Sequence, residues 1–237
     1  INMVVQGRDQ IIIIIDDVTN RLRKDYQISM MSQISESIQR DVEIERVLHT
    51  ILTGVTSGSG LGFNRAQLFL LEDDEYLAGK MAVGPDTFEE AIDIWSSVSS
   101  TGFQHPESVP ADNDDHVNRF LEKVLKVRMH ISLNNVFTIS LKDMVNIHVF
   151  DSSADERVDQ EIRDFMDVKE FVVVPIIAVN RPIGIIVVDN KFNLMPIGND
   201  SIELLTIFAS QAALSLESHG SLVRVRGEME KIERRQE

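Results

Sequence analysis

The stretch from Phe171 to Glu217 constrains the fold more than any other part of the chain. Phe171–Val179 and Ile183–Val188 are apolar and rich in β-branched residues, with Asn180-Arg181-Pro182 between them. Two such runs joined by a short polar connection predict an antiparallel hairpin. The runs are nearly continuous rather than alternating, so both faces of the hairpin are expected to be covered. The turn-rich segment Asp189–Asn199 follows. Asp200 then stands at the N-cap of a predicted helix, in which Ile202, Leu205, Phe208, Ala209 and Ala212 keep helical spacing.

Residues 1–19 hold two short apolar runs, Ile1–Val5 and Ile11–Ile15, around the turn Gln6-Gly7-Arg8-Asp9. A run of isoleucines favours strand over helix, and an isolated hairpin is marginal in water, so it needs a sheet to join. The alternative is a helix that begins early and carries these isoleucines. Arg21 to Thr56 reads as helical, and its apolar stripe shifts near Asp41. The shift predicts a connector helix over 20–40 and the first helix of a domain from Asp41. A long polar helix with one apolar seam needs a partner, and a second copy of the chain supplies one most simply.

Gly54, Gly58, Gly60 and Gly62 follow a helix and precede a strand. A phosphate-binding loop needs the reverse order, so these glycines are expected to end the helix and turn the chain. Asn64–Glu72 and Tyr76–Val83 predict a second hairpin around Asp73-Asp74-Glu75. Alternation puts Arg65, Gln67 and Phe69 on one face, where Arg65 is expected to pair with Asp189. Thr87 caps a helix over Phe88–Val98, and a second helix is expected over Val117–Val127. Asp112-Asn113-Asp114-Asp115 lacks the glycine and distal glutamate of a calcium loop and reads as helix capping. Ile131–Asp143 carries no clear period. Val145–Phe150 predicts a strand and Asp155–Asp167 a helix. Beyond Glu217 the residues Leu222, Val225, Met229 and Ile232 step three, four, three, a short heptad seam weakened by Gly220 and Gly227.

This order gives an α+β fold of about five strands with helices covering both faces. Of the 237 residues, 43% are hydrophobic, enough for a buried core. The formal net charge of −15 repels phosphate backbones and argues against nucleic acid as a partner. The absence of cysteine excludes disulfides, thiolate metal sites and thiol catalysis. No apolar run reaches the roughly 20 residues of a membrane span, and a reducing cytoplasm is the expected location.

The hairpin, the Asp189-Asn190-Lys191-Phe192 turn, the Met195-Pro196-Ile197 step and the Glu203-Leu204-Leu205…Ala213 helix together resemble the end of a GAF domain. The string AVGPDTFEEAIDIW, Ala82–Trp95, resembles a bacterial GAF subfamily at the same place. Asp17-Val18-Thr19 resembles the step that closes many PAS domains. The resemblance implies four parts: 1–19 the tail of a PAS-like domain, 20–40 a signalling-helix linker, 41–217 a GAF-like domain, and 218–237 a coiled-coil linker to an output domain. It also implies a GAF-like central antiparallel sheet, with the first and last helices sharing one face while the crossover segments roof the other and enclose a pocket.

No catalytic motif is visible: no Gly-x-Ser-x-Gly elbow, no His-Glu-x-x-His and no phosphate loop. The chain therefore reads as a regulatory module of a sensor kinase or cyclic-dinucleotide enzyme rather than as an enzyme itself. His219 lacks the surroundings of a phosphorylated kinase histidine. Asn190, Lys191 and Asp200 match part of the cyclic-nucleotide signature of some GAF domains, but Ser201 stands in place of its glutamate. A bilin cannot be attached through a thiol here, and the cofactor is left unassigned. The candidate pocket residues, named by position, are Trp95, His148, Phe150 and Phe171. His148 has two readings: an anion or haem ligand on the cavity face, or an edge histidine with a hydrogen-bonded partner. Two functions follow. One is a small-molecule sensor; the other is a ligand-free relay and dimerisation module with a pocket closed by its own side chains. Both make the chain a homodimer through its end helices.

Overall fold

A computed structural model describes residues 2–5, 8–11, 44–57, 60–101 and 119–233; for residues 2–11, Trp95, 97–101 and 220–233 it describes the backbone alone. The strands are β1 (Asn2–Val5), β2 (Arg8–Ile11), β3 (Arg65–Glu72), β4 (Tyr76–Val83), β5 (Arg128–His130), β6 (Ile147–Val149), β7 (Phe171–Ala178) and β8 (Arg181–Asp189). The helices are α1 (Ile44–Thr56), α2 (Phe88–Thr101), α3 (Arg119–Leu125), α4 (Val136–Asp143), α5 (Gln160–Met166) and α6 (Asn199–Glu233). The connector over 20–40 and the acidic stretch 112–115 lie outside the described residues.

Six strands form one antiparallel sheet in the order β5-β4-β3-β8-β7-β6. The fold is α+β, as the sequence predicts, with one strand more than expected. The extra strand is β5, three residues that pair with Tyr76–Ala78 at the sheet edge. Its brevity hides it: three residues cannot display a period of two. The amino-terminal hairpin also differs in register. Val5 pairs with Arg8 and Asn2 with Ile11, so the second strand starts at Arg8 rather than at Ile11. Arg8 and Asp9, read from the sequence as part of the turn, are already paired with Val5 and Val4.

Tight turns join both central hairpins. Asp73 and Asp74 have φ of 52° and 56°; Val179 and Asn180 have φ of 45° and 60°. Two consecutive left-handed residues suit the twist of antiparallel strands. They also explain why β8 begins at Arg181, inside the connection expected from the sequence.

The sheet separates two cores. On one face, Val172, Val174 and Ile176 of β7 and Ile186 and Val188 of β8 meet α1 (Ile51, Leu52, Val55) and α6 (Leu205, Phe208, Ala212). On the other, Phe171, Val173, Ile185 and Val187 meet α3, α4 and α5 through Phe120, Val124, Phe137, Leu141, Ile162 and Met166. Neighbouring residues of one strand thus belong to different cores, as the period of two dictates. The first and last domain helices share a face, as expected.

Local chemistry fixes the helix ends. The Thr87 hydroxyl accepts from Glu90 N at 3.3 Å, and the Glu90 carboxylate accepts from Asp86 N at 2.8 Å. Asn135 caps α4 by accepting from Thr138 N, while the Thr138 hydroxyl accepts from Asn135 N, a reciprocal box. At α6 the first accepting carbonyl is that of Gly198, so Asp200 sits in the first turn rather than at the cap. There its charge still faces the positive end of the helix dipole. Helix α6 runs on to Glu233, in line with the polar, helix-prone composition past Glu217.

Candidate functional site

The face roofed by α3, α4 and α5 is the candidate site. Three residues of β3 point into it: Arg65, Gln67 and Phe69, all buried. Arg65 Nε donates to Asp189 Oδ1 and Oδ2 at 3.0 and 2.9 Å, and Nη2 lies 2.8 Å from Oδ2. The same Nη2 donates to the Met166 carbonyl at 2.8 Å, and the guanidinium carbon lies 4.9 Å from the centre of the Phe120 ring. The pair expected from the sequence is therefore present, and it ties two strands to the end of α5. Burial pushes the Asp189 carboxyl up from its usual range; Arg65 and the Lys191 backbone N–H pull it down but do not reverse the direction.

Aromatic rings fill much of the rest. Phe69 lies 5.4 Å from Phe137 and 6.2 Å from Phe165 between ring centres, and Phe137 lies 6.4 Å from Phe171. Within this apolar setting Gln67 is fully buried. Its Nε2 donates to Met166 Sδ at 3.5 Å, and no donor among the described residues reaches its Oε1.

Alpha-three is held against β4 by the absence of a side chain at Gly79. A Cβ there would stand 1.9 Å from the Val124 carbonyl oxygen. Gly79 N donates to the Val127 carbonyl at 2.9 Å, and Lys123 pairs with Asp86 at 2.6 Å.

The four candidate pocket residues do not converge. Phe171 lies in the roofed core. His148 pairs in register with Val172, a residue of the opposite core, and its neighbours Ile147 and Val149 are the ones that face the roof. His148 therefore faces the α1/α6 side, and the expectation that its strand face lines the cavity is corrected by the register of β6 on β7. Its Nε2 lies 2.8 Å from Glu170 Oε1, an oxygen that also accepts from Ile197 N at 3.1 Å. The His148 and Phe150 rings are 3.8 Å apart, and Phe150 is 70% exposed. The structure thus joins His148 to Phe150 and separates both from Phe171. The edge-histidine reading is the one that the geometry matches. Trp95 lies in α2, and its side chain is outside the description.

Asn190 and Lys191 serve the turn. Asn190 Oδ1 accepts from Asn64 N at 3.3 Å, its Nδ2 donates to the Met195 carbonyl at 2.8 Å, and Lys191 pairs with Asp167 at 2.7 Å. Asn64 Oδ1 in turn accepts from Phe192 N and Asn193 N at 2.8 and 2.9 Å. Sequence reasoning missed Glu170 and the open carbonyl of Gln67. Gln67 had a signal, a polar residue two positions from Arg65 in an apolar strand; Glu170 had none, since its partners lie 22 and 27 residues away. Among the described residues no group of three or more His, Asp or Glu side chains is placed to hold a metal ion.

The GAF domain family model matches residues 43–216. No curated protein sequence matches the chain. Several solved structures share the fold. A methyl-accepting chemotaxis protein, residues 122 to 287, aligns at 20% identity and TM-score 0.55, over 80% of this chain and 98% of that one. The GAF domain of an Acinetobacter phosphoenolpyruvate-protein phosphotransferase aligns at 14% identity and TM-score 0.55, over 84% and 97%. The phycocyanobilin-bound GAF domain of a cyanobacterial phytochrome aligns at 16% identity and TM-score 0.53, over 82% and 96%.

Proposed function

The chain belongs to the GAF domain family, and on that premise we propose that it is a non-enzymatic regulatory module: a small molecule binds on the roofed face, and α6 carries the result toward an output domain. The observation that carries this reading is the shared strand. Phe171 and Val173 belong to the roofed core, while Val172 and Val174, which alternate with them, pack on the α1/α6 side. A ligand that moves β7 by a fraction of an ångström changes the surface on which α6 rests, because close-packed cores do not deform continuously. One structural relative is a phycocyanobilin-bound GAF domain, which supports the fold as a place for small molecules.

The division proposed for the chain follows from the same reading: a PAS-like tail over 1–19, a helical linker over 20–40, the GAF-like domain over 41–217 and a coiled-coil linker over 218–237, in a cytoplasmic sensor kinase or cyclic-dinucleotide enzyme. Among the described residues no helix is long and apolar enough to cross a membrane. Homodimerisation is proposed through the end helices. Ile207 and Leu214, 38% and 52% exposed, stand seven residues apart on α6 and supply part of a seam.

A second reading has its own support. Phe69, Phe137, Phe171, Ile162 and Met166 are fully buried on the roofed side, as a ligand-free relay with a pocket closed by side chains would have them. Native mass spectrometry of freshly purified protein, followed by amide exchange of α6 with and without the co-purified molecule, separates the two. The sensor reading expects a bound molecule whose removal changes exchange in α6. No bound molecule, and no stabilisation by any member of a metabolite library, overturns it in favour of the relay.

A further inference from the structure

Among the described residues the roofed face carries one buried polar side-chain atom without a hydrogen-bond partner, and its chemistry narrows the ligand. Gln67 is fully buried at the centre of the sheet, with its amide nitrogen turned to Met166 Sδ and its carbonyl oxygen unpaired. Buried acceptors in folded proteins nearly always find a donor, since an unsatisfied one forfeits its hydration without return. The sheet register sets Val187 on one side of Gln67 and Ala82 on the other. Neither can donate, and Ala82 contributes only a methyl group.

The charges around this point are already matched. Arg65 spends its Nε and Nη2 on Asp189 and the Met166 carbonyl. The Asp189 carboxylate is bound in return by Arg65 and by Lys191 N, and Lys191 Nζ turns to Asp167. An anionic ligand would have to compete with Asp189 for Arg65, and a cationic one would have to compete with Arg65 for Asp189. An unpaired charge in such a setting is strongly disfavoured.

Resting on the sensor reading above, we propose that Gln67 Oε1 is the polar anchor of the site and that the ligand is a small, uncharged, largely apolar molecule presenting one N–H or O–H donor. The aromatic lining from Phe69 and Phe120 suits a planar ring. This chemistry places cyclic nucleotides and carboxylate-bearing tetrapyrroles outside the ligand class.

The test uses the full chain and two matched probes, indole and indene, which share shape and differ in the N–H. Ligand-observed NMR titration is expected to give indole about tenfold tighter binding than indene, the value of one buried hydrogen bond. In Gln67→Leu, which keeps the size and removes the carbonyl, that preference is expected to vanish while indene still binds. Equal binding of the two probes by the wild type overturns the anchor and leaves the sensor reading standing. Binding of neither probe also overturns the proposal, including the case in which a lone buried water serves Gln67. An unchanged preference in Gln67→Leu overturns it as well. The comparison on the wild type needs no variant, so a poorly folding Gln67→Leu does not blunt the test.

Discussion

Replacing Arg65 by methionine isolates the contribution of the buried ion pair. The substitution keeps an unbranched apolar stem over Phe120 and removes the charge. It leaves Asp189 fully buried with only the Lys191 N–H as a charge-stabilising donor, and it takes from the Met166 carbonyl its Arg65 partner. Breaking a buried pair in this one-sided way costs about 3–5 kcal/mol, a large share of the roughly 5–15 kcal/mol of a typical domain. For a domain of this size, about 2–4 °C per kcal/mol gives a fall in Tm on the order of 12 °C.

The sign of the pH dependence follows from Asp189. Burial already raises its folded pKa above the unfolded value, and Arg65 is the largest influence acting against burial. Removing Arg65 raises the folded value further. A carboxyl with a raised folded pKa binds its proton more readily in the folded state, so its contribution to stability is fully present below the unfolded pKa and is lost as pH rises through the folded one. The Arg65→Met deficit should thus be smallest in acid and grow toward neutrality. Urea unfolding at several pH values measures it, with Arg65→Met/Asp189→Leu as the companion that removes both charges. The double variant should recover at least half of the loss, since replacing both partners by apolar groups is often nearly neutral. A deficit under about 1 kcal/mol at neutral pH, a deficit independent of pH, or no recovery in the double variant would each refute the argument; any of them would mean that Asp189 is not held by Arg65 in the way described.

Three further outcomes follow from single positions. Gly79→Ala puts a methyl into the Val124 carbonyl and should lower stability by about 1–3 kcal/mol or more through displacement of α3, read by urea unfolding and by earlier amide exchange of Arg119–Leu125. Val179→Asn should raise stability by up to about 1 kcal/mol, because a β-branched residue at φ 45° and 80% exposure gives way to one that tolerates the left-handed region. Ile207→Glu with Leu214→Glu should convert a dimer into a folded monomer by light scattering; a wild-type chain that is monomeric at all concentrations would sink the proposed seam.

Much of the fold was legible because the decisive strands are long and bounded by turn residues. Tyr76–Val83 has the same limits in sequence and structure, and the β7–β8 hairpin differs at its turn and by one residue, Asp189, at its far end. There the sequence showed Asn180-Arg181-Pro182 as the connection, whereas the backbone turns on Val179 and Asn180. Pro182 misled: it marks a strand edge at the irregularity next to Ile177 rather than a loop. Asp155–Asp167 read as one helix, yet only Gln160–Met166 is helical. Asp159 accepts from Ile162 N and starts the helix late, and the preceding residues spend their polar groups on local turns such as Asp155 with Arg157 N.

The site was legible to the extent that its signal was local. Arg65 and Asp189 announced themselves as charges embedded in apolar strands, and the register of β3 on β8 sets them opposite each other. His148 carried an equal signal and led elsewhere, because β6 contributes only three residues and alternation fixes two faces without saying which is which. That choice is made by register against β7, and Val172 opposite His148 settles it in favour of the α6 side. The consequence bears on mechanism. Through Glu170, His148 shares an acceptor with Ile197 N, immediately before α6, and Asn146 donates to Thr206 on α6 at 2.9 Å. Asn146, just before β6, therefore touches the helix directly and His148 reaches the approach to it through Glu170, while Ile147 and Val149 sit in the roofed core. The edge strand is a second mechanical link between the two cores, parallel to the one through β7, and a displacement of the roof reaches the start of α6 by both.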